Sequence, residues 1–547
     1  MNQFARGSWV PPSLNSHGFE SILDVFDRSC ASFGDNIAYS SFGHGISYSE
    51  LNILADAFAY YLQNHTSLIV GDRIAIQLPN ILQHPVVLFG AMRAGLIVVN
   101  TNPLYTAREL EHQFNDAQVK ALVVYEGVAH NVEKVIDKTA IEYVFTTNLA
   151  DLHSFLPRLA INNVVKYVKK LIPQYTLKNS IKLRSAIISH KGNKPVKIAM
   201  KLKDVAVLQY TGGTTGVSKG VMLTHGNLVS NMLQAGEVIG KAHKNWKDIV
   251  IAPLPLYHIY AFTISMIVMQ SGGQSVLIAN PRDIPSFIKE LKKLKFTTFL
   301  GLNTLFVALC NQKDFQALDF SHLHITISGG MALTHDCAEL WQRTTGGQIL
   351  EGYGLTETSP IVAGNPVNAI SVGTIGYPVL ATKVKIIDIA NNEVKSGEAG
   401  ELCVLGPQVM KGYWNHQQAT EDAFTEDGYF KTGDIAVQDD TGRLKIVDRA
   451  KDLIIVSGFN VYPNEVEDVA SSHPKVLECA AVGVKNEKTG ERVKLFVVKN
   501  DESLQSAELR TFCKEQLASY KVPKEIVFVK ELPKSNIGKV LRRMLRE

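Results

Sequence analysis

The stretch YTGGTTGVSKG, Tyr210–Gly220, places four glycines, three threonines, one serine and one lysine in eleven residues. That much bare backbone beside that many hydroxyls suits a polyphosphate. Glycine lets backbone N–H groups approach an anion, and Thr, Ser and Lys add further donors. The spacing is not that of a Walker loop, which needs Gly, four residues, then Gly-Lys-Ser/Thr. Here Lys219 follows Ser218 and precedes Gly220. The competing reading is a Gly/Thr-rich turn between two strands with no ligand at all.

The surroundings favour a layered fold. VAVLQ leads into the quoted stretch as a short apolar run, and DRIAIQLPN, ALVVYEG, TTFLGLN and HITISGG repeat that texture along the chain. Such runs, bounded by Gly, Pro and polar clusters and alternating with longer amphipathic stretches, predict an α/β protein with layered sheets. At 547 residues the chain exceeds one ordinary core. The texture changes near residue 449, where charged DRAKD separates strand signals. The residues beyond it (KVLECAAVGVK, VKLFVVK, EIVFVKEL) read as a small α+β unit. We therefore expect domains at 1–448 and 453–547, joined by a hinge at 449–452.

Composition excludes several classes. Hydrophobic residues make up 46% and charged residues 20%, which is globular rather than disordered. Six scattered cysteines without a C-x-x-C pair read as reduced packing residues of a cytoplasmic protein. MNQFARGSWVPP lacks a basic-then-apolar export pattern. Ile249–Asn280 contains no Asp, Glu, Lys or Arg, but its Pro-Leu-Pro, His258 and Gly-Gly divide it into strand, loop, helix and strand. It reads as buried core rather than a membrane span. Leu152–Lys203 is the opposite case, with twelve basic residues and no acid. Interleaved with Val, Leu, Ile and Tyr, it fits an anionic bilayer surface or a solvated face balanced by acids elsewhere. It carries no nucleic-acid recognition motif.

Three further stretches are too polar and glycine-rich for plain core. EGYGLTETSP, Glu351–Pro360, sets an aromatic, two threonines and a carboxylate close together. Tyr353 suits stacking on a base, Thr356 a phosphate, and Glu357 a Mg²⁺ ion, which favours oxygen ligands. YFKTGD ends in Asp434, the residue type that accepts ribose hydroxyls at strand ends. ELPKSNIGKVLRR carries Lys534 and Lys539 in a terminal loop. Taken singly, each has a bland reading: a turn, an Asx turn, a solvated lysine.

In order, YTGGTTGVSKG, LPLYHIYA, EGYGLTET, YFKTGD, GRLKIVDRAKD and PKSNIGK resemble the adenylate-forming enzyme superfamily over nearly the whole chain. ANPRDIP, GPQVMKGYWN and VDRAKDLIIVSGFNVYPNEVEDV bring the chain nearest to the bacterial long-chain fatty-acid–CoA ligases.

The resemblance implies a large N-terminal domain of layered αβ subdomains and a small mobile α+β C-terminal domain. It also implies a two-step reaction. A fatty carboxylate attacks the α-phosphate of ATP to give acyl-AMP and pyrophosphate. Coenzyme A then displaces AMP, and Mg²⁺ is the implied cofactor. Thr211, Gly212, Gly213, Thr214, Thr215, Gly216 and Lys219 would form the loop over the β- and γ-phosphates. Gly330, Glu351, Gly352, Tyr353 and Gly354 would form the adenine pocket. Thr356 would touch the α-phosphate, Glu357 the metal, and Asp434 the ribose hydroxyls. Arg449 would add a ribose or phosphate contact. His258 would lie near the carboxylate, and Lys539 would bridge carboxylate and α-phosphate during adenylation. Lys451 would be the hinge pivot, Gly458 would line the coenzyme A tunnel, and Phe262 would stand near the gate of an acyl tunnel.

LYHIYAFTISM has no acid to hold an α-amine, which argues against amino acid substrates. The rival readings are an acyl-AMP ligase, a medium-chain or aryl-acid ligase, and a non-catalytic lipid-binding protein. The family also admits a homodimer and a peripheral position on the inner face of the membrane.

Overall fold

The computed structural model describes residues 10–15, 17–211, 218–239, 248–457, 459–486, 488–534 and 540–546. Compactness divides the chain into one unit of Met1–Lys383 with Leu405–Gly428, and a second of Val384–Val404 with Tyr429–Glu547.

Two large sheets organise the first unit. At the centre of the eight-stranded sheet, Arg73–Gln77 pairs in parallel with Ile97–Asn100 on one side and Val119–Tyr125 on the other. Val205–Thr211 extends it in parallel and then turns back, as an antiparallel hairpin, into Lys219–Thr224. In the nine-stranded sheet, Gln274–Leu277, Ile249–Ala252, Thr298–Gly301, Ile325–Gly329 and Ile349–Gly354 run side by side in parallel. The β-branched and aliphatic runs read from the sequence are these strands. Parallel strands covered on both faces are continuously apolar rather than alternating.

The uncharged run resolves as its punctuation predicts, into strand Ile249–Ala252, helix Ile259–Gln270 and strand Gln274–Leu277. The helix is apolar all round, and ten of its twelve residues are buried, as expected of a helix enclosed by the core. Among the described residues no helix is long and apolar enough to cross a membrane. Five of the six cysteines are buried and Cys479 is half-buried.

The second unit is α+β. A four-stranded sheet includes Phe430–Gln438, paired antiparallel with Leu444–Arg449. A five-stranded sheet holds the long antiparallel pair Val476–Asn486 and Gly490–Lys499. Its core gathers Ile454, Val466, Leu495 and Leu509 from strands and from helices Pro463–Ser471 and Ser506–Gln516. By compactness the four-stranded sheet groups with this unit, so the division falls upstream of residue 449. The charged DRAKD segment closes a strand and forms the 3₁₀ turn Ala450–Asp452 inside the unit.

Candidate active site

Two paired strands flank the opening stretch. Thr211 and Lys219 face each other across the antiparallel pair. Gly212, Gly213, Thr214, Thr215 and Gly216 lie outside the described residues. Both flanks are anchored. The Tyr210 hydroxyl donates to Asp116 Oδ2 at 2.5 Å, and burial, then that carboxylate, push its pKa well up. His112 Nε2 donates to the Ser218 carbonyl at 2.7 Å. A carbonyl only accepts, so Nε2 carries the proton.

A second loop faces the same hairpin. Strand Ile349–Gly354 leads into the 3₁₀ turn Thr356–Thr358. Gly354 is required there, because a Cβ at that position would stand 1.9 Å from the Pro360 carbonyl oxygen. The Glu357 carboxylate accepts the Tyr413 hydroxyl at 3.0 Å, and its carbonyl accepts the Met410 N–H at 2.8 Å. Tyr413 pairs with Val221 of the hairpin, and Lys219 Nζ lies 5.2 Å from the Tyr413 ring centroid. Lys219, Tyr413 and Glu357 thus form one chain of cation, ring and carboxylate. Burial and the Glu357 charge push the Tyr413 hydroxyl pKa up, which keeps it a donor. The sequence reading did not single out Tyr413. Its only signal was an aromatic after Lys-Gly in GPQVMKGYWN.

His258 caps helix Ile259–Gln270, with Nδ1 accepting the Tyr260 N–H at 3.4 Å. Two hydroxyls fix the helix beside the loop. Thr263 donates to the Ser359 carbonyl at 2.7 Å, and Tyr260 donates to the Ile327 carbonyl at 3.2 Å. Phe262 is buried in the same helix. A small cavity lies along this helix, lined by Val250, Ile264, Ile267, Val268, Ile327 and Ile239 together with Asp248, Ser271 and Thr298; Phe262 is not in its lining.

Buried amides that the sequence reading also passed over hold the end of this loop and the 407–409 segment next to it. Asn227 donates to the Pro407 and Val409 carbonyls at 2.7 and 2.8 Å, and Asn231 to the Ile361 carbonyl at 2.8 Å. Their signal was amides at positions 227, 231 and 234, one helical face of an otherwise apolar helix.

Gly330, at φ +82°, ends strand Ile325–Gly329 in the left-handed region, where glycine is favoured. The next turn is tied back by Glu351, whose Oε1 accepts the Leu333 N–H at 2.9 Å. Its other oxygen is buried without a hydrogen-bond partner among the described residues. Burial pushes this carboxyl up to about 7. Gly352 and Tyr353 are half-buried on the same strand.

In the second unit, Asp434 and Arg449 are cross-strand partners, with Nε 2.9 Å from Oδ1 and Asp434 almost fully buried. Lys451 follows with its Nζ buried and lacking a hydrogen-bond partner among the described residues. Burial, then the Arg449 charge, lower its pKa to about 8. The residues after position 539 close on this turn. Arg542 lies 2.6 Å from Glu467 and 3.5 Å from both Asp448 and Asp452, and Arg546 lies 2.9 Å from Asp452. Lys539 and Gly458 lie outside the described residues.

No group of three His, Cys, Asp or Glu side chains suited to a metal occurs among the described residues. A hydroxyl and one carboxylate, Thr356 and Glu357, instead fit a Mg²⁺ ion that takes most of its ligands from phosphate and water.

The class of the protein follows from its likeness to known families, which make it an adenylate-forming enzyme. The chain belongs to the AMP-binding enzyme family. The family profile matches residues 26–414, and the AMP-binding enzyme C-terminal domain profile matches 465–539. It is 51% identical over 540 residues to a long-chain-fatty-acid–CoA ligase of Escherichia coli, covering 98% of this chain and 96% of that one. It is 35% identical to the ligase of that name from Bacillus subtilis, covering 96% and 94%. The crystal structure of ATP-bound MatB from Rhodopseudomonas palustris superposes with TM-score 0.83 at 29% identity, covering 96% of this chain and 98% of that one. An anthranilate CoA ligase in complex with anthranoyl-AMP shares the fold, with TM-score 0.85 at 22% identity over 96% of each chain.

Proposed function

We propose that this protein activates long-chain fatty acids. It joins the acid to ATP as acyl-AMP, releases pyrophosphate, and passes the acyl group to coenzyme A with release of AMP. The observation that carries this reading is the roughly half identity, over nearly the full length, to bacterial long-chain-fatty-acid–CoA ligases.

The residues supply the physical requirements. Carboxylate and triphosphate repel each other, so the site must hold two anions together and offset charge as the α-phosphate is attacked. The loop from Thr211 to Lys219 wraps the outer phosphates. Thr356 donates to the α-phosphate, and Glu357, oriented by Tyr413, holds Mg²⁺. That ion, when bound, neutralises charge on the phosphate oxygens. Gly330, Glu351, Gly352, Tyr353 and Gly354 form the adenine pocket, and Asp434, braced by Arg449, takes the ribose hydroxyls. Lys539 bridges the carboxylate and the α-phosphate in the first step, with His258 nearby. Lys539 must then leave for coenzyme A to enter. The turn around Lys451 is the pivot of that movement, separating 1–448 from 453–547, and Gly458 lines the thiol's path.

The acyl chain lies along helix Ile259–Gln270, near Phe262. The absence of an acid in LYHIYAFTISM and the all-round apolar character of the helix support a long apolar substrate. Each buried methylene contributes roughly 0.8 kcal/mol, so specificity should climb steeply with chain length until the tunnel ends. The protein works at the inner face of the membrane, where such acids partition.

The test is pyrophosphate release with ATP and Mg²⁺ across acids from 4 to 18 carbons, with and without coenzyme A. Release that requires long acids and yields acyl-CoA is expected. Acyl-AMP that accumulates while coenzyme A is ignored would make the protein an acyl-AMP ligase. No release with any acid would leave a lipid-binding protein. A kcat/KM that is flat from 8 to 16 carbons would sink the tunnel.

A further inference from the structure

Helix Phe155–Asn163 runs directly into the π-helical turn Val164–Val168, and of these residues only Val165 is buried. The apolar side chains here face solvent: Leu156 and Val168 are each 74% exposed, Tyr167 64% and Phe155 63%, and Leu159, Val164 and Leu171 are also exposed. Seven of the 21 large hydrophobics that the described residues expose therefore fall between positions 155 and 171. Elsewhere exposed hydrophobics are scattered, which needs no explanation; a cluster of this density does.

The charges of the segment itself are of one sign, with Asp283 the acid beside Lys169. Leu152–Lys203 holds twelve basic residues and no acid. Among the described residues three of the twelve are ion-paired: Lys169 with Asp283, Lys182 with Glu126, and Lys194 with Asp56. Arg158 lies 5.5 Å from the Phe155 ring centroid and Lys166 lies 5.4 Å from that of Tyr167. Cations laid on apolar rings, with their heads free to reach outward, are how Lys and Arg sit at a water–lipid boundary. A second copy of this face would bring like charges together. An anionic surface offering hydrocarbon beneath its charges matches both properties at once.

We infer that residues 155–171 are a monotopic docking element, which lays Phe155, Leu156, Leu159, Val164, Tyr167, Val168 and Leu171 into the headgroup boundary of an anionic phospholipid bilayer. Arg158, Lys166 and Lys170 contact the lipid phosphates. The purpose of the surface rests on the fatty-acid reading, since the bilayer is where long-chain acids collect; the docking itself does not.

The experiment is co-sedimentation of the full chain with vesicles containing phosphatidylglycerol, compared with pure phosphatidylcholine and with 0.5 M NaCl. Two double variants are tested beside the wild type: Leu156→Asp with Val168→Asp, and Lys166→Gln with Lys170→Gln. None of these residues belongs to the proposed site, and far-UV circular dichroism checks that each variant folds. The wild type should bind anionic vesicles and release in salt. Each double variant should bind at least about tenfold more weakly, since each basic residue near the surface contributes roughly a fivefold factor. Pyrophosphate release with detergent-solubilised acid should be unchanged in the variants, while release with vesicle-borne acid should fall. Wild type that ignores anionic vesicles, or variants that bind as it does, would overturn the inference. So would a wild-type dimer that Leu156→Asp with Val168→Asp converts to monomer, because a second copy would then be the occupant. If no acid supports pyrophosphate release in detergent yet docking persists, the ligase reading fails and the docking surface stands.

Discussion

Residues 155–171 and 259–270 are both helical, apolar and free of acids, yet the structure treats them oppositely. Helix Ile259–Gln270 has ten buried residues of twelve; helix Phe155–Asn163 has none. Hydrophobicity alone does not decide which is interior. The first helix has no Lys or Arg, and its flanks are strands Ile249–Ala252 and Gln274–Leu277, which pair with each other and carry it into the core. The second carries Arg158 and leads into Lys166, Lys169 and Lys170, cations too costly to bury unpaired. One apolar segment is committed to the core beside the proposed chemistry, and the other is left exposed.

The comparison can be broken by substitution. Phe262→Ala should destabilise the first unit by about 3–5 kcal/mol, read as a lower urea midpoint, because it leaves a cavity in packed core. A cost under about 1 kcal/mol would mean this helix is no more committed than the exposed one. Beside the helix, Glu357→Gln should lower kcat/KM by about 10²–10³-fold, if the carboxylate holds the ion that offsets phosphate charge. An unchanged rate would remove Glu357 from the site.

Smaller changes sharpen the picture. Tyr413→Phe keeps the ring and removes the hydrogen bond to Glu357, so it should raise the Mg²⁺ concentration needed for half-maximal rate by about 10–100-fold, with little effect on folding. Glu351→Gln probes burial itself. The Glu351 carboxyl is raised from 4.5 to about 7 by burial. Between those values the unfolded chain has released a proton that the folded protein keeps, so wild-type stability falls as pH rises through that window and levels off above it. Glutamine has no such proton and still accepts from Leu333. The Tm of Glu351→Gln relative to wild type should therefore rise by about 2–4 °C from pH 4.5 to pH 7.5. A difference that ignores pH would show that the carboxyl is not held protonated. At the bottom of the scale, Leu156→Ala should change stability by no more than about 0.5 kcal/mol. A larger loss would mean helix Phe155–Asn163 is packed after all.

Much of this architecture is legible in the residues. Five short apolar runs named their strands because a parallel sheet buried on both faces needs uninterrupted Val, Ile, Leu and Ala. The uncharged run separated into strand, helix and strand because Pro-Leu-Pro and Gly-Gly cannot continue a regular element. Asp434 and Arg449 were chosen separately, and strand pairing made them neighbours. The compact division was less legible. The sharpest change in composition, at DRAKD, is a turn inside the second unit, because contacts made by the four-stranded sheet depend on pairing between distant segments.

By itself the sequence determined the α/β class and the basic character of 152–203, because these follow from hydrophobic pattern and charge, and it named candidates for the polyanion loop and for the nucleotide and metal residues. Only the tertiary structure decided that Tyr413 reaches Glu357, that Asn231 braces that loop and Asn227 the 407–409 segment beside it, that one Glu351 oxygen has no hydrogen-bond partner among the described residues, and that most side chains of 155–171 face outward. Each of these depends on which distant segments meet and which polar groups lose water when they do. Local pattern carries no record of that.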